Sequence, residues 1–472
     1  MRVSRRDFMR AAACGIGSLA LGKGLERAKG GERVLRRPNV LFIMTDQQTL
    51  SAIGAHGNRY LKTPHMDSLA EGGVRFEKSY CTSPVCSPAR SSILTGRMPH
   101  VTGVEINGRT VKQGIANMGD VFRGAGYETA YTGKWHLGKE SGFDFLRSEY
   151  PDGTNRDLGS HTDGFWAGRA VEFLRKKHRK PFLLFVSLQN PHDICHWIMG
   201  KKWLVEQAEP AKCPPLPTNF AVDPNEPEFV TSCRRRTYYG NEANWTTEWD
   251  ENDWRQYLNA YYRLTERVDK EVGRVLDALR RGGLEKDTII VFTSDHGEGC
   301  AAHKWVVKLM LYEEPVTVPL VIGYKGVIPA RVADSRHLVS AIDIVPTLCD
   351  YAGIKPPEGL AGVSLRTVIE KPESPGREFV VAELMPEPKN TKMKGRMLRT
   401  RRYKYIVFSE GRKREMLFDL VSDPGETRNL ALNPAMQKEL NRHRMLLGRW
   451  IAVTGDDFII PTPVRLETET GT

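Results

Sequence analysis

Three short apolar runs each end in side chains that can do chemistry. Val40 to Met44 leads into Thr45, Asp46 and Gln47, Phe182 to Leu188 into Asn190, Pro191 and His192, and Ile289 to Thr293 into Ser294, Asp295, His296 and Gly297. A fourth run, Glu128 to Tyr131, leads into TGKWHLG, with Lys134 and His136. If the runs are strands of an open parallel sheet, their carboxyl ends share one edge, where ligands bind, so these distant groups converge. Asp46, the amide oxygen of Gln47, Asp295 and His296 then make a site for one divalent cation, mostly through hard oxygen donors. Lys134, His136, His192 and Lys308, the last in HKWVVKLMLYEE, add positive charge and hydrogen-bond donors around it. Such a pocket suits a tetrahedral oxyanion. CTSPVCSPARSSILTGR (Cys81 to Arg97) reads as the start of a helix with Pro88 in its first turn. Arg90 sets a planar donor fork beside a helix end that favours negative charge.

Taken singly, each group has an ordinary alternative. A strand-terminal Asp46 can cap a helix, His192 can be a satisfied loop histidine, and Lys308 can pair with Glu313 or Glu314. The joint occurrence at strand ends is what points to a site.

The positioning elements follow from the spacing of apolar residues. The runs above, with Leu320 to Ile322, are rich in Val, Ile, Leu and Phe and read as buried parallel strands. Tyr257, Tyr261, Leu264, Val268, Val272, Val275 and Leu279 recur every three or four residues, a helix ended by Gly282 and Gly283. Alternating strands and helices define an α/β protein. Residues 370–377, with Pro372 and Pro375, read as a linker. Beyond it RMLRTRRYKYIVF, a turn at GRKR, and MLFDL read as an antiparallel pair, followed by a helix from Pro434 to Trp450. The expected organisation is an export signal over 1–30, a large α/β domain over 36–370 and a smaller α+β domain over 376–472.

A chain of 472 residues exceeds the roughly 250–300 that one core usually serves. The first thirty residues carry SRRDFMR, a twin-arginine signature, before the small-residue apolar stretch AAACGIGSLALG, as an export signal does. The expected location is periplasmic or extracellular. The formal charge is +12, of which the leader's seven Lys/Arg and two Asp/Glu supply five. The remaining excess suits acidic partners, but no nucleic-acid motif is present. No apolar run beyond the leader is long enough to span a membrane. Past Cys14 the cysteines are Cys81, Cys86, Cys195, Cys213, Cys233, Cys300 and Cys349, an odd number without zinc spacing or a disulfide framework.

CSPARSSILTG resembles the signature of the type I sulfatases, C/S-x-P-x-R followed by x-x-x-L-T-G. NVLFIMTDQ, TGKWHLG, QNPH, FTSDHGEG, KLMLYEEPVTVPL, RTRRYKYI and LFDLVSDPGETRNLA resemble that family's other blocks in order, over nearly the whole mature chain. The resemblance implies an alkaline phosphatase-like fold: a large, mostly parallel central sheet flanked by helices, with a smaller C-terminal antiparallel sheet and helix. It implies that a separate maturation enzyme oxidises Cys86 to formylglycine, since only Cys86 has Pro two and Arg four positions on; Cys81 is then a structural thiol. It further implies that one hydroxyl of the hydrated aldehyde attacks sulfur and that the second expels sulfate as the carbonyl reforms. Arg90 and Lys134 would hold the diol, and His136 would act as base. His192 and Lys308 would bind the sulfate and help protonate the leaving oxygen. The metal set implied is Asp46, Gln47, residue 86, Asp295 and His296.

Three departures matter. Gln47 stands where many relatives have a second aspartate, which lowers the charge at the metal. His296 stands where relatives vary between Asn and His; calcium is expected, with manganese or zinc left open by the imidazole. His303 lies near a substrate-facing histidine of some relatives, but within the unusual spacing of GEGCAAHKW, so it is a weak substrate-binding candidate. The expected activity is hydrolysis of sulfate esters, most simply of a sulfated carbohydrate. The alternatives are a phosphonate or phosphate diester hydrolase of the same superfamily and an inert carbohydrate-binding protein. Between His192 and the long helix, Trp197, Trp203, Tyr238, Tyr239, Trp245, Trp249 and Trp254 could stack on sugar rings or simply pack that insertion. The sequon Asn244-Trp245-Thr246 carries no weight behind a bacterial-type leader.

Overall fold

A computed structural model describes residues 37–146, 154, 156–235 and 246–461. The leader over 1–30, Tyr238, Tyr239, and Asn244 and Trp245 of the sequon lie outside the described residues.

The large sheet is laid down by β1 (Asn39–Asp46), β2 (Val74–Phe76), β3 (Glu128–Gly133), β4 (Asp144–Phe145), β5 (Phe182–Pro191), β6 (Thr288–Ser294), β7 (Leu320–Tyr324) and β8 (Val332–Asp334). Its order is β4-β3-β5-β1-β6-β7-β2-β8. The centre is parallel, with Phe42 opposite both Phe185 of β5 and Val291 of β6. These strands are apolar on both faces because both faces are covered. Val40, Phe42 and Met44 point to one face, with Ile93, Leu94, Phe122 and Ile344. Leu41 and Ile43 point to the other, under Ala167 and Phe173 of α2 (Gly159–Arg175) and Val268, Val272 and Leu279 of α3 (Glu251–Arg281). Helix α1 (Cys86–Thr95) packs on the Phe42 side. Asp250 caps α3, accepting from Asp253 N at 2.9 Å.

Two expectations are corrected. Leu320 to Ile322 does not run parallel to its neighbours: β7 is antiparallel to β6, with Val291 opposite Ile322. A parallel return needs a crossover to the opposite edge of the sheet. The chain between Ser294 and Leu320 holds only one 3-10 turn (Ala302–Lys304) and a four-residue helix (Glu313–Val316), so it re-enters from the edge it left. That edge is where Asp295, His296 and Lys308 follow β6. Secondly, RMLRTRRYKYIVF is two strands rather than one. The C-terminal sheet is antiparallel, in the order β9 (Phe379–Leu384), β10 (Gly395–Thr400), β11 (Tyr403–Phe408) and β12 (Glu415–Asp419). Arg401 and Arg402 form the bend, held by the Thr400 hydroxyl, which lies 3.2 Å from Tyr403 N and accepts its hydrogen bond. β9 has no counterpart in the sequence reading. Leu440, Leu447 and Trp450 of α4 (Gln437–Thr454) cover one face of this sheet, against Val381, Leu398 and Tyr405. The other face meets Leu311 and Val316 of the loop after β6. Among the described residues no helix is long and apolar enough to cross a membrane.

Candidate active site

The carboxyl ends of β1, β5, β6 and β3 lie together, and the side chains that follow them meet. Asp46 closes β1 and Asp295 follows β6 directly. Cys86 is the first residue of α1, and Arg90, one helical turn on, shares its face. Gly133 ends β3 at φ 103°, and a Cβ there would stand 1.9 Å from the Ser187 carbonyl oxygen of β5. Only glycine lets Lys134 leave the sheet at that close approach. Gln47 and His136 both take positive φ, 69° and 59°, strain of the kind that clusters at functional sites.

Arg90 is wholly buried and organises the carboxylates. Its Nη2 lies 2.8 Å from Asp46 Oδ2 and its Nε 2.8 Å from Asp295 Oδ2. Its Nη1 donates to the Lys134 carbonyl at 2.6 Å and to Ser187 Oγ at 2.8 Å. Lys134 Nζ reaches the same Asp46 Oδ2 at 2.7 Å. The Asp295 Oδ1 atom accepts from Gln47 N at 3.0 Å and His296 N at 2.9 Å. His296 Nδ1 meets the Gly297 carbonyl at 2.9 Å, which assigns the proton to Nδ1 and leaves Nε2 as an acceptor.

Cys86 sits among these groups. Its Sγ is 3.0 Å from Lys308 Nζ, 3.2 Å from His296 Nε2 and 3.8 Å from Asp46 Oδ1. Burial opposes ionisation of the thiol, yet the Lys308 and Lys134 ammonium groups outweigh it and hold Cys86 well below the usual thiol range. Cys81 shows the contrast: buried without such cations, it is pushed up. His136 and His192 also lie beside Cys86. Burial, then Lys134 and Lys308, press His192 down to about 3, so its ring is neutral. Its Nδ1 is buried without a hydrogen-bond partner. Burial and Cys86 oppose ionisation of Asp46, but the Lys134 ammonium and the Arg90 guanidinium overcome them and keep it an anion.

Asp46, Cys86, Asp295 and His296 each offer a ligand atom, and the four lie within 4.8 Å of one another. Gln47 adds its Oε1, which accepts from Lys308 Nζ at 2.8 Å. Two carboxylate oxygens and an imidazole nitrogen around one point suit a divalent cation. The amide is oriented by groups the sequence reading did not single out. Gln47 Nε2 donates to Glu298, whose other oxygen accepts from the Tyr257 hydroxyl and Val307 N. Glu298 lies three residues after Asp295, and that shared strand-end loop is the one sequence signal for it. Tyr261 OH donates to the Gln47 carbonyl at 2.8 Å. His303 is placed elsewhere: its ring stacks on Tyr312, with centroids 4.0 Å apart, and groups with Glu314 and Glu426. Of the aromatic insertion, Trp197, Trp249 and Trp254 pack on one another and on Tyr257, while Trp203 is 66% exposed.

A sheet edge that gathers two carboxylates, fixed cations and a thiol around one point defines an alkaline phosphatase-like hydrolase built for a tetrahedral oxyanion. The chain matches the Sulfatase family over residues 38–354, and N-sulphoglucosamine sulphohydrolase, C-terminal, over residues 301–448. It is 32% identical over 462 residues to a Delta 4,5-hexuronate-2-O-sulfatase of Bacteroides thetaiotaomicron, covering 92% of this chain and 93% of the relative. An ulvan-active sulfatase of Formosa agariphila is 29% identical over 453 residues, covering 89% and 82%. A solved 2-O GAG sulfatase superposes with a TM-score of 0.80 at 31% identity, over 89% of this chain and 93% of that one. The chain belongs to the sulfatase family and is a sulfuric ester hydrolase.

Proposed function

We propose that this protein removes sulfate from a sulfated carbohydrate, using formylglycine made from Cys86 and one divalent cation, calcium in the first instance. The observation that carries the reading is Cys86 itself, first residue of a buried helix, with Lys308 Nζ at 3.0 Å and His296 Nε2 at 3.2 Å. A structural thiol would not be set among cations that favour its ionised form. Relatives named for 2-O-sulfated hexuronate and for ulvan support a carbohydrate ester and make a 2-O-sulfated hexuronate the first substrate to try.

Oxidised by a maturation enzyme and hydrated, position 86 would supply the hydroxyl nucleophile that a thiol is not. A cation held by Asp46, Gln47, Asp295 and His296 would supply Lewis-acid stabilisation of the sulfate oxygens. The chain's own residues do the rest. Arg90 fixes the two carboxylates in one plane of donors. Lys134 and Lys308 present ammonium groups to a sulfate lying over residue 86, where charge builds up as the ester bond breaks. His192, neutral, donates a hydrogen bond without adding charge, and Lys308 Nζ supplies a proton to the leaving oxygen. His136 accepts a proton at its ring and so clears the site for the next turnover.

The test is sulfate release from 2-O-sulfated unsaturated hexuronate saccharides, compared with an aryl phosphodiester, by protein whose Cys86 peptide shows aldehyde by mass. The reading requires release that disappears in Cys86→Ala. A preference for the phosphodiester by orders of magnitude would transfer the assignment to phosphonate or phosphate diester hydrolysis. The proposal extends to export through residues 1–30, which fractionation after replacing Arg5 and Arg6 with lysine tests.

A further inference from the structure

The loop after β6 carries a second cluster that the chemistry above does not use. His303 is 1% exposed and takes φ 52°, yet neither ring nitrogen has a hydrogen-bond partner. The ring is held flat on Tyr312, and His303 N donates to the Asn219 carbonyl at 2.7 Å. It groups with Glu314 and with Glu426, which follows β12 in the C-terminal part of the chain. One ligand atom from each of His303, Glu314 and Glu426 lies within 4.8 Å of the others. Glu314 Oε2 is likewise buried and without a partner, while Oε1 accepts from Asn219 Nδ2 at 2.8 Å. Glu426 Oε2 accepts from Glu313 N at 2.6 Å.

Burying an imidazole and a carboxylate oxygen with nothing to bond is costly. The neighbouring cation does not settle the charge. Lys404 Nζ stands 2.8 Å from Glu426 Oε1 and 3.0 Å from Glu313 Oε1, ion-pair distances without hydrogen-bond alignment. One ammonium therefore faces three carboxylates. Burial, against Lys404, lifts Glu426 to about 8 and also raises Glu314. Burial, then Arg234 and Lys404, lowers His303 to about 4, leaving a neutral ring with a free lone pair.

We propose that His303, Glu314 and Glu426 form a second divalent-cation site, separate from the catalytic one and suited to zinc or manganese. One imidazole with two carboxylates is a donor set for those ions rather than for calcium or magnesium. An ion with bonds of about 2.0–2.2 Å would draw the three ligand atoms closer together than they stand without it. Asn219 supplies the supporting shell, touching His303 N, Glu314 Oε1 and the Gly425 carbonyl. The ion would tie the loop that delivers Lys308 to the chain segment after β12.

The experiment is zinc stoichiometry in protein whose catalytic site has lost its zinc-preferring donors through Cys86→Ala with His296→Ala. We expect one equivalent of Zn2+ to remain bound there and to vanish when His303→Ala is added. No bound zinc in the doubly substituted protein, or an equivalent that survives His303→Ala, overturns the proposal. Because the variants could misfold, unsubstituted crystals soaked in Zn2+ are measured at the zinc edge as well. An anomalous peak bounded by His303, Glu314 and Glu426 is required, and its absence overturns the proposal independently.

Discussion

Arg90 and Asp295 are joined through Nε and Oδ2 at 2.8 Å, both side chains wholly buried, although 205 residues separate them in the chain. The same guanidinium reaches Asp46 at 2.8 Å, so one planar cation sets the angle between two strand-end carboxylates. Asp46 and Asp295 together are a buried double anion, and burial with repulsion from Asp46 raises Asp295. Removing the fork takes the guanidinium from Asp295 and leaves Asp46 with Lys134 alone. Arg90→Met should therefore lower the unfolding free energy by about 3–5 kcal/mol, the cost of breaking a buried ion pair. Arg90→Lys keeps the charge but cannot bridge both oxygens, and should fold better than Arg90→Met while still losing most activity. Urea unfolding of both variants checks this, and an Arg90→Met midpoint equal to the unsubstituted protein's would refute it.

Glu298 acts through Gln47. Its carboxylate accepts the amide N–H of Gln47, which turns Gln47 Oε1 toward Lys308 Nζ at 2.8 Å and toward the cation site. In Glu298→Gln the new side chain can present either NH2 or oxygen, so the Gln47 amide is no longer held one way. Supporting residues of this kind typically change metal affinity about 10–100-fold. The expected result is weaker calcium binding by that factor in a direct titration, with a near-normal melting temperature, because a buried carboxyl raised by desolvation is replaced by a neutral group.

Lys308 contacts both the residue-86 sulfur and Gln47 and is fully buried at the end of a loop. Lys308→Met keeps the stem and removes the ammonium. Loss of one donor aimed at developing charge should reduce kcat by about 10²–10³. KM for the sulfated saccharide should rise less than kcat falls. A variant whose kcat is unchanged would show that Lys308 only neutralises the pocket.

The strand ends were readable because β1, β5 and β6 are apolar on both faces and then switch abruptly to polar residues: Val40–Met44 before Asp46, Ile289–Thr293 before Asp295. A period-2 or fully apolar pattern is the same in either direction, which is why the antiparallel sense of β7 was not. The bend at Arg401 and Arg402 has no Gly, Pro or Asn to mark it; the Thr400 hydroxyl holds it instead. Glu298 is not legible in the sequence because its meaning depends on Tyr257, 41 residues earlier on a helix. His303 is a candidate in the sequence only because it lies near a substrate-facing histidine of some relatives, within the unusual spacing of GEGCAAHKW. A run of positive φ at Cys300, Ala301, His303 and Lys304 carries its ring to Glu314 and Glu426.

One contact joins the chain after α1 to the C-terminal sheet in a pH-dependent way. His100 Nδ1 lies 2.6 Å from Glu383 Oε1 on β9, and His100 N donates to Glu383 Oε2 at 3.1 Å. The ring also meets Trp450 of α4 edge-on, at 5.6 Å. Burial opposes protonation of His100, but Glu383 prevails and raises its pKa above 6.5. A histidine raised on folding contributes stability that is complete below its unfolded value and is lost as pH rises through the folded one. His100→Gln keeps the size and a donor but removes that titration. It should destabilise by about 1.5–3 kcal/mol at pH 5.5, as for a charged hydrogen bond, and by clearly less near pH 9. Urea melts of the two proteins at both pH values measure the difference, and a gap that stays constant or widens at the higher pH would show that the pair is not a charged one.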